Sequence, residues 1–134
     1  MDLVATWTQA DRADLMREAG TIKRMPPEVV EKDFWVCWTL DRLFGSAAMA
    51  RKILFKGGTS LSKVFGLIER FSEDIDLVLD WKEVTQEDPH AARSASGQTA
   101  FNKALLRRAH VYLRETFLPE VHQPFLRASA CHRP

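Results

Sequence analysis

The chain has 134 residues, one domain's worth, and 46% of them are hydrophobic, enough to bury a core. Its formal net charge is +1, so global electrostatics neither demand nor exclude nucleic acid, and any such contact must come from local basic clusters. No charged-then-apolar leader opens the chain, no apolar run approaches membrane-spanning length, and Cys37 and Cys131 have no C-x-x-C spacing, which sets aside membrane, zinc and redox-thiol readings and makes the cytoplasm the expected compartment.

Thr8-Gln9-Ala10-Asp11 predicts a capped helix start, with Asp11 in place of the usual Glu. Ala10, Leu15, Met16 and Ala19 form a weak apolar stripe, and Gly20 is a good stop. Residues 21–26 read as a connector. Pro27 then opens a second helix, where its missing N–H costs nothing, and Glu28 suits the positive end of the dipole. That helix runs to about Phe44 and is closed by Gly45. Val29, Val36, Leu40 and Leu43 share one stripe, with Val30, Phe34, Cys37 and Trp38 beside it. The broad apolar arc predicts a mostly buried helix with core aromatics. Glu31, Lys32 and Asp33 read as a solvated face with no assigned chemistry.

Residues 46–51 read as a loop and Ile53-Leu54-Phe55 as a short buried strand. A helix over 59–70 follows, facing the sheet with Leu61, Val64, Phe65 and Ile68. Gly66 inside it costs about 1 kcal/mol relative to Ala. Residues 73–80 form a second strand, ended by Trp81. The polar stretch 82–98 is a long loop. Residues 99–118 predict a helix with Phe101, Leu105, Ala109 and Tyr112 inside and Lys103, Arg107, Arg108 and Arg114 outside; Pro119 stops it. The rest, 119–134, is a tail, unstructured from 127. The whole is one domain over 1–134, with N-terminal helices 8–44, a core at 52–81, the loop 82–98, the helix 99–118 and the tail.

The chemistry concentrates in the core. Gly57 and Gly58 let backbone approach a phosphate, and Thr59 and Ser60 follow at a helix start, where free N–H groups favour an anion. Lys63 lies one turn beyond Ser60, either within reach of phosphate or as a solvated surface lysine. Asp74 and Asp76 are two apart, so on a strand both carboxylates leave one face while Ile75, Leu77 and Leu79 share the other. Paired hard oxygen donors suit Mg²⁺, with triphosphate oxygens and water completing its shell. Strand, glycine turn, helix and carboxylate strand together predict a site for a nucleoside triphosphate and its metal. The catalytic candidates are Asp74, Asp76 and Ser60. Those for the nucleotide are Gly57, Gly58, Thr59, Ser60 and Lys63, and those for Mg²⁺ are Asp74 and Asp76. The four histidines form no ligand set.

Lys56-Gly57-Gly58-Thr59-Ser60-Leu61-Ser62-Lys63 and Arg70-Phe71-Ser72-Glu73-Asp74-Ile75-Asp76-Leu77 resemble the signature of AbiEii/AbiGii-type nucleotidyltransferase toxins, in the polymerase-β-like superfamily. Glu31-Lys32-Asp33-Phe34-Trp35-Val36 is similar to the helix preceding the family's first strand. The resemblance covers about residues 28–80 well. It implies an α/β (α+β) core with helices packed on a small, incomplete mixed sheet. It also implies a role in abortive infection or a type IV toxin–antitoxin system, with Mg²⁺-dependent transfer of a nucleotide from an NTP to an RNA (tRNA-like) or protein acceptor, and a cognate antitoxin. Ser72 and Glu73 carry over as neighbours of the carboxylates.

Members of the superfamily usually take a third carboxylate from a later strand, and AbiEii-type members carry a later lysine and aspartate motif. No strand-borne Asp or Lys follows Asp80 here. The expectation is therefore the N-terminal part of such an enzyme, ended early, with residues 128–134 like a read-through. The alternatives are an inactive nucleotide-binding relic or a module that only engages an antitoxin, and uncovered core faces predict self-association, a homodimer in its mild form.

Overall fold

The computed structural model describes residues 1–63 and 74–123, without the side chains of Thr59, Leu61 and Ser62. The expected packing of Leu61, Val64, Phe65 and Ile68, the place of Gly66, the motif residues Ser72 and Glu73, and the tail beyond 123 lie outside the described residues.

The chain opens with one turn, α1 (Asp2–Ala5), held where Asp2 accepts from Trp38 Nε1 at 2.9 Å and pairs with Arg42. In α2 (Gln9–Lys23), the Thr8 side chain accepts from the Asp11 N–H at 3.2 Å, as the capping pattern predicts. The expected stop at Gly20 is corrected: the helix continues to Lys23, and Arg24 supplies the left-handed cap at φ 55°. Gly20 is there for space. A Cβ on it would lie 2.7 Å from the Met25 carbonyl oxygen, where the chain folds back.

The next helix, α3 (Pro27–Phe44), spans the predicted range. Val36, Trp38 and Leu43 are buried and most of its other apolar residues are partly so, because α2 packs along it. Residues 46–51 are not all loop: Ala47–Ala50 form a short α4, which buries Met49. Then come β1 (Ile53–Lys56), α5 (Gly57–Lys63) and β2 (Asp76–Leu79). Two boundaries move here. The glycines form the first turn of α5 rather than a turn before it, and β2 starts at Asp76, leaving Asp74 and Ile75 ahead of it.

The strands pair antiparallel, Ile53 with Leu79 through Lys56 with Asp76, so the described sheet is antiparallel rather than mixed. Ile53, Leu43, Met49 and Phe117 form the core cluster, with Phe44, Leu77, Leu79, Tyr112 and Val121 packed against it. Leu54 and Val78 face outward on the other side. The class is α+β, as expected.

Within 82–98 the loop is shorter than predicted. Trp81–Glu83 form a 3₁₀ turn capped by Asp80, and α6 (Ala95–Tyr112) starts at Ala95 because the Ser94 hydroxyl caps the Gly97 N–H at 3.1 Å. Nor does Pro119 end this helix. A π-helical turn, Leu113–Phe117, intervenes, and helical backbone continues through residue 123. Proline removes one i→i−4 bond and crowds the carbonyl four residues back; the wider turn just before it accommodates both effects. Among the described residues, no helix is long and apolar enough to cross a membrane.

Candidate functional site

The end of β1 and the start of β2 meet at the glycine. Lys56 and Asp76 are ladder partners, and Gly57, the next residue, adopts φ 80°. A Cβ built on Gly57 would fall 2.8 Å from Asp76 Cγ and closer still to Oδ2. Only a residue without a side chain fits, both for its backbone angle and for the carboxylate above it. The structure thus brings Gly57 and Asp76 together.

Ser60 is 6% exposed, and its hydroxyl donates to the Gly57 carbonyl at 2.9 Å within the same turn. Gly58 is partly buried beside it, and Thr59 follows in the helix backbone. Ser60 and Lys63 line a groove of about 520 Å³ whose other walls are apolar, including Cys37, Leu40, Phe44 and Phe55. That volume lies in the range of small-ligand sites. Lys63 also forms an ion pair with Asp33 of α3. Burial works to lower its pKa, but the hydrogen bond and charge of Asp33, aided by Cys37, outweigh that and hold the ammonium above its ordinary value.

Asp74 sits differently. It precedes β2 and lines a second groove of about 350 Å³ with Ile75 and the α3 residues Lys32, Trp35, Val36 and Thr39. Exposure alternates from 74 to 79, with Asp74, Asp76 and Val78 outward and Ile75, Leu77 and Leu79 turned in. The two-residue period therefore extends back past the strand's first hydrogen bond. Both carboxylates face water and are reachable by a cation.

This donor set suits Mg²⁺, which takes one or two carboxylates and fills its shell with substrate oxygens and water. The missing Cβ at Gly57 leaves the Asp76 carboxylate room against the helix start. Among the described residues, no cluster of three or more His, Cys, Asp or Glu could hold a metal, so any metal held here depends on substrate oxygens. Sequence reasoning missed Asp33. Its signal was present, a charged residue one turn before Cys37 on a helix otherwise half apolar, but the pairing with Lys63 bridges 30 positions and leaves no periodicity to read.

A family model described as nucleotidyl transferase AbiEii toxin, type IV TA system, matches residues 38–127. The match takes in the glycine turn and both aspartates, reaches well beyond residue 80, and begins after Glu31–Val36. No curated protein and no solved structure gives a significant match.

Proposed function

From the premise that this chain belongs to the AbiEii nucleotidyl transferase toxin family of type IV toxin–antitoxin systems, we propose that it is a Mg²⁺-dependent nucleotidyltransferase that transfers a nucleotide from an NTP to an RNA or protein acceptor. The observation that carries the reading is the seating of the Asp76 carboxylate over Gly57, at the turn that opens α5. Transfer of this kind needs in-line geometry and charge neutralisation more than covalent catalysis by the protein. Asp74 and Asp76 would hold Mg²⁺, which when bound neutralises the phosphates and favours departure of pyrophosphate. The Ser60 hydroxyl, the backbone N–H groups of residues 58–60 and the Lys63 ammonium would bind the triphosphate. The acceptor hydroxyl would form its new bond to phosphorus as the bond to pyrophosphate breaks, its proton passing to water. A cognate antitoxin follows from the family, and the cytoplasm is the proposed compartment.

A second reading, nucleotide binding without turnover, draws support from the donor count, since no group of three potential ligands occurs among the described residues. Two assays separate the readings. Calorimetry with each NTP, with Mg²⁺ or with chelator, on wild type and Ser60→Ala tests binding. Incubation of labelled NTP with total RNA and protein tests transfer. The proposal expects Mg²⁺-dependent binding weakened by Ser60→Ala, together with label in one acceptor class. Equal affinity in both proteins, or binding indifferent to Mg²⁺, would remove the phosphate cradle. Binding without label would favour the second reading.

A further inference from the structure

Asp33 lies in the charged run Glu31-Lys32-Asp33 on α3, and Lys63 lies on α5, one turn beyond Ser60. In the fold they meet, with the Lys63 ammonium donating to Asp33 Oδ1. Their side chains keep 29% and 37% of their surface exposed. A fully solvated pair of this kind orders little, but this one is partly withdrawn from water. Its lysine also walls the apolar groove alongside Ser60.

Among the described elements α5 packs chiefly on β1, and the Asp33 ion pair adds a link to α3. An ammonium carries three donors. Asp33 engages one, the Cys37 side chain is also within hydrogen-bonding reach, and a donor is left for an incoming anion. A free lysine would have to freeze its four-carbon stem when phosphate arrives, and a stem already held by Asp33 avoids most of that ordering loss. The lysine stays charged throughout the neutral range, since Asp33 and Cys37 together more than offset the effect of burial.

Building on the nucleotide-transfer reading above, we infer that Asp33 is a positioning residue: it holds the Lys63 ammonium at the groove beside Ser60, ready for the phosphate oxygens of a nucleoside triphosphate. Asp33 itself touches no phosphate, because two anions would repel. Its whole effect passes through Lys63, and this distinguishes it from a strut between helices.

The test is a mutant cycle read by calorimetry with Mg²⁺ plus ATP, GTP, CTP or UTP. The proteins are wild type, Asp33→Asn, Lys63→Ala and the double variant, with melting temperatures measured in parallel. Asp33→Asn is expected to weaken binding by roughly two- to ten-fold, the range that follows from freeing one long side chain. Lys63→Ala weakens it at least as much, and the double variant binds no more weakly than Lys63→Ala. Asp33→Glu, which keeps the charge and shifts it by one methylene, gives a smaller loss of the same pattern and carries the test if Asp33→Asn does not fold. Wild-type affinity in Asp33→Asn would overturn the inference. So would a second equal loss in the Lys63→Ala background, which would make the pair a strut. If folded wild type binds none of the four nucleotides, the nucleotide reading itself falls and the inference falls with it.

Discussion

The carboxylate of Asp76 occupies the space that a side chain on residue 57 would need, and Gly57 meets it at a backbone angle that L-residues with side chains rarely adopt. Gly57→Ala therefore faces two penalties, left-handed strain of about 1–2 kcal/mol and displacement of the carboxylate. The expected outcome is a loss of about 1–3 kcal/mol in stability together with loss of Mg²⁺–NTP binding. Denaturant unfolding and calorimetry on the same protein check this. Unchanged stability would mean that the turn relaxes freely and the close approach is incidental.

Asp74→Asn and Asp76→Asn are each expected to abolish Mg²⁺-dependent binding while leaving the fold intact. Asp76 faces Lys56 across the ladder, and an opposite-charge pair there contributes at most about 1 kcal/mol. Neutralising one of two neighbouring carboxylates also relieves repulsion when no metal is present. Circular dichroism melts with chelator are the control. A sharp drop in melting temperature without metal would identify the aspartates as structural.

Alkaline pH should probe the cluster where β1 meets α6. Lys52 is raised above its ordinary 10.5, first by its hydrogen bond to Glu120 at 2.6 Å. Tyr112 is raised above 10.0, first by burial and then by its hydrogen bond to Glu83 at 2.9 Å. For both groups the folded state holds its proton more tightly than the unfolded state. Their contribution is thus complete below the unfolded values and is lost as pH climbs through the folded ones. Melting temperature should fall above about pH 10 in wild type, and less steeply in the Lys52→Met, Tyr112→Phe variant. Tyr112 is the only tyrosine, so its ionisation can be followed directly by absorbance. Identical alkaline limbs in the two proteins would contradict this assignment.

Leu54 and Val78 are cross-strand partners on the outer face, 65% and 43% exposed. Among the described residues the sheet has two strands with an apolar outer pair, and such a sheet invites association. Light scattering at micromolar concentration should detect self-association, reduced by Leu54→Lys. A clean monomer in both proteins would show that this face needs no cover.

Much of the frame was legible in the residues. Pro27 opens α3 because its missing N–H costs nothing there. Gly45 closes it at an ordinary right-handed φ, where a Cβ would lie 2.5 Å from the Asp41 carbonyl oxygen. Exposure alternates from Asp74 to Leu79 as the strand period predicts. The misreadings have physical causes. Gly20 looked like a stop, yet its missing side chain serves the return of the chain at Met25, while Arg24 takes the left-handed cap that glycine usually fills. Ser94, Ser96 and Gly97 read as loop composition, but Ser94 is a helix cap. Pro119 read as a terminator because the widened turn before it has no sequence period. At the candidate site, local pattern anticipated the strand and helix that carry Gly57, Ser60 and Asp76. The Lys63–Asp33 contact depends on how α3 crosses α5, which no local pattern carries.

The widened turn at Leu113–Phe117 also acts as a counting device. Its one surplus residue offsets everything beyond it by about 100° relative to a regular helix. Positions 112 and 120 would stand about 80° apart on a regular helix; with the surplus absorbed they share a face, where Tyr112 reaches Glu83 and Glu120 reaches Lys52. The stretch therefore tolerates the loss of one residue in a way that its composition does not reveal. Deleting a single residue from it would restore an ordinary helix with Glu120 still on the face of Tyr112, whereas adding one would swing Glu120 about 100° away from Lys52. A residue added in the exposed segment 86–88 would rotate no helical face.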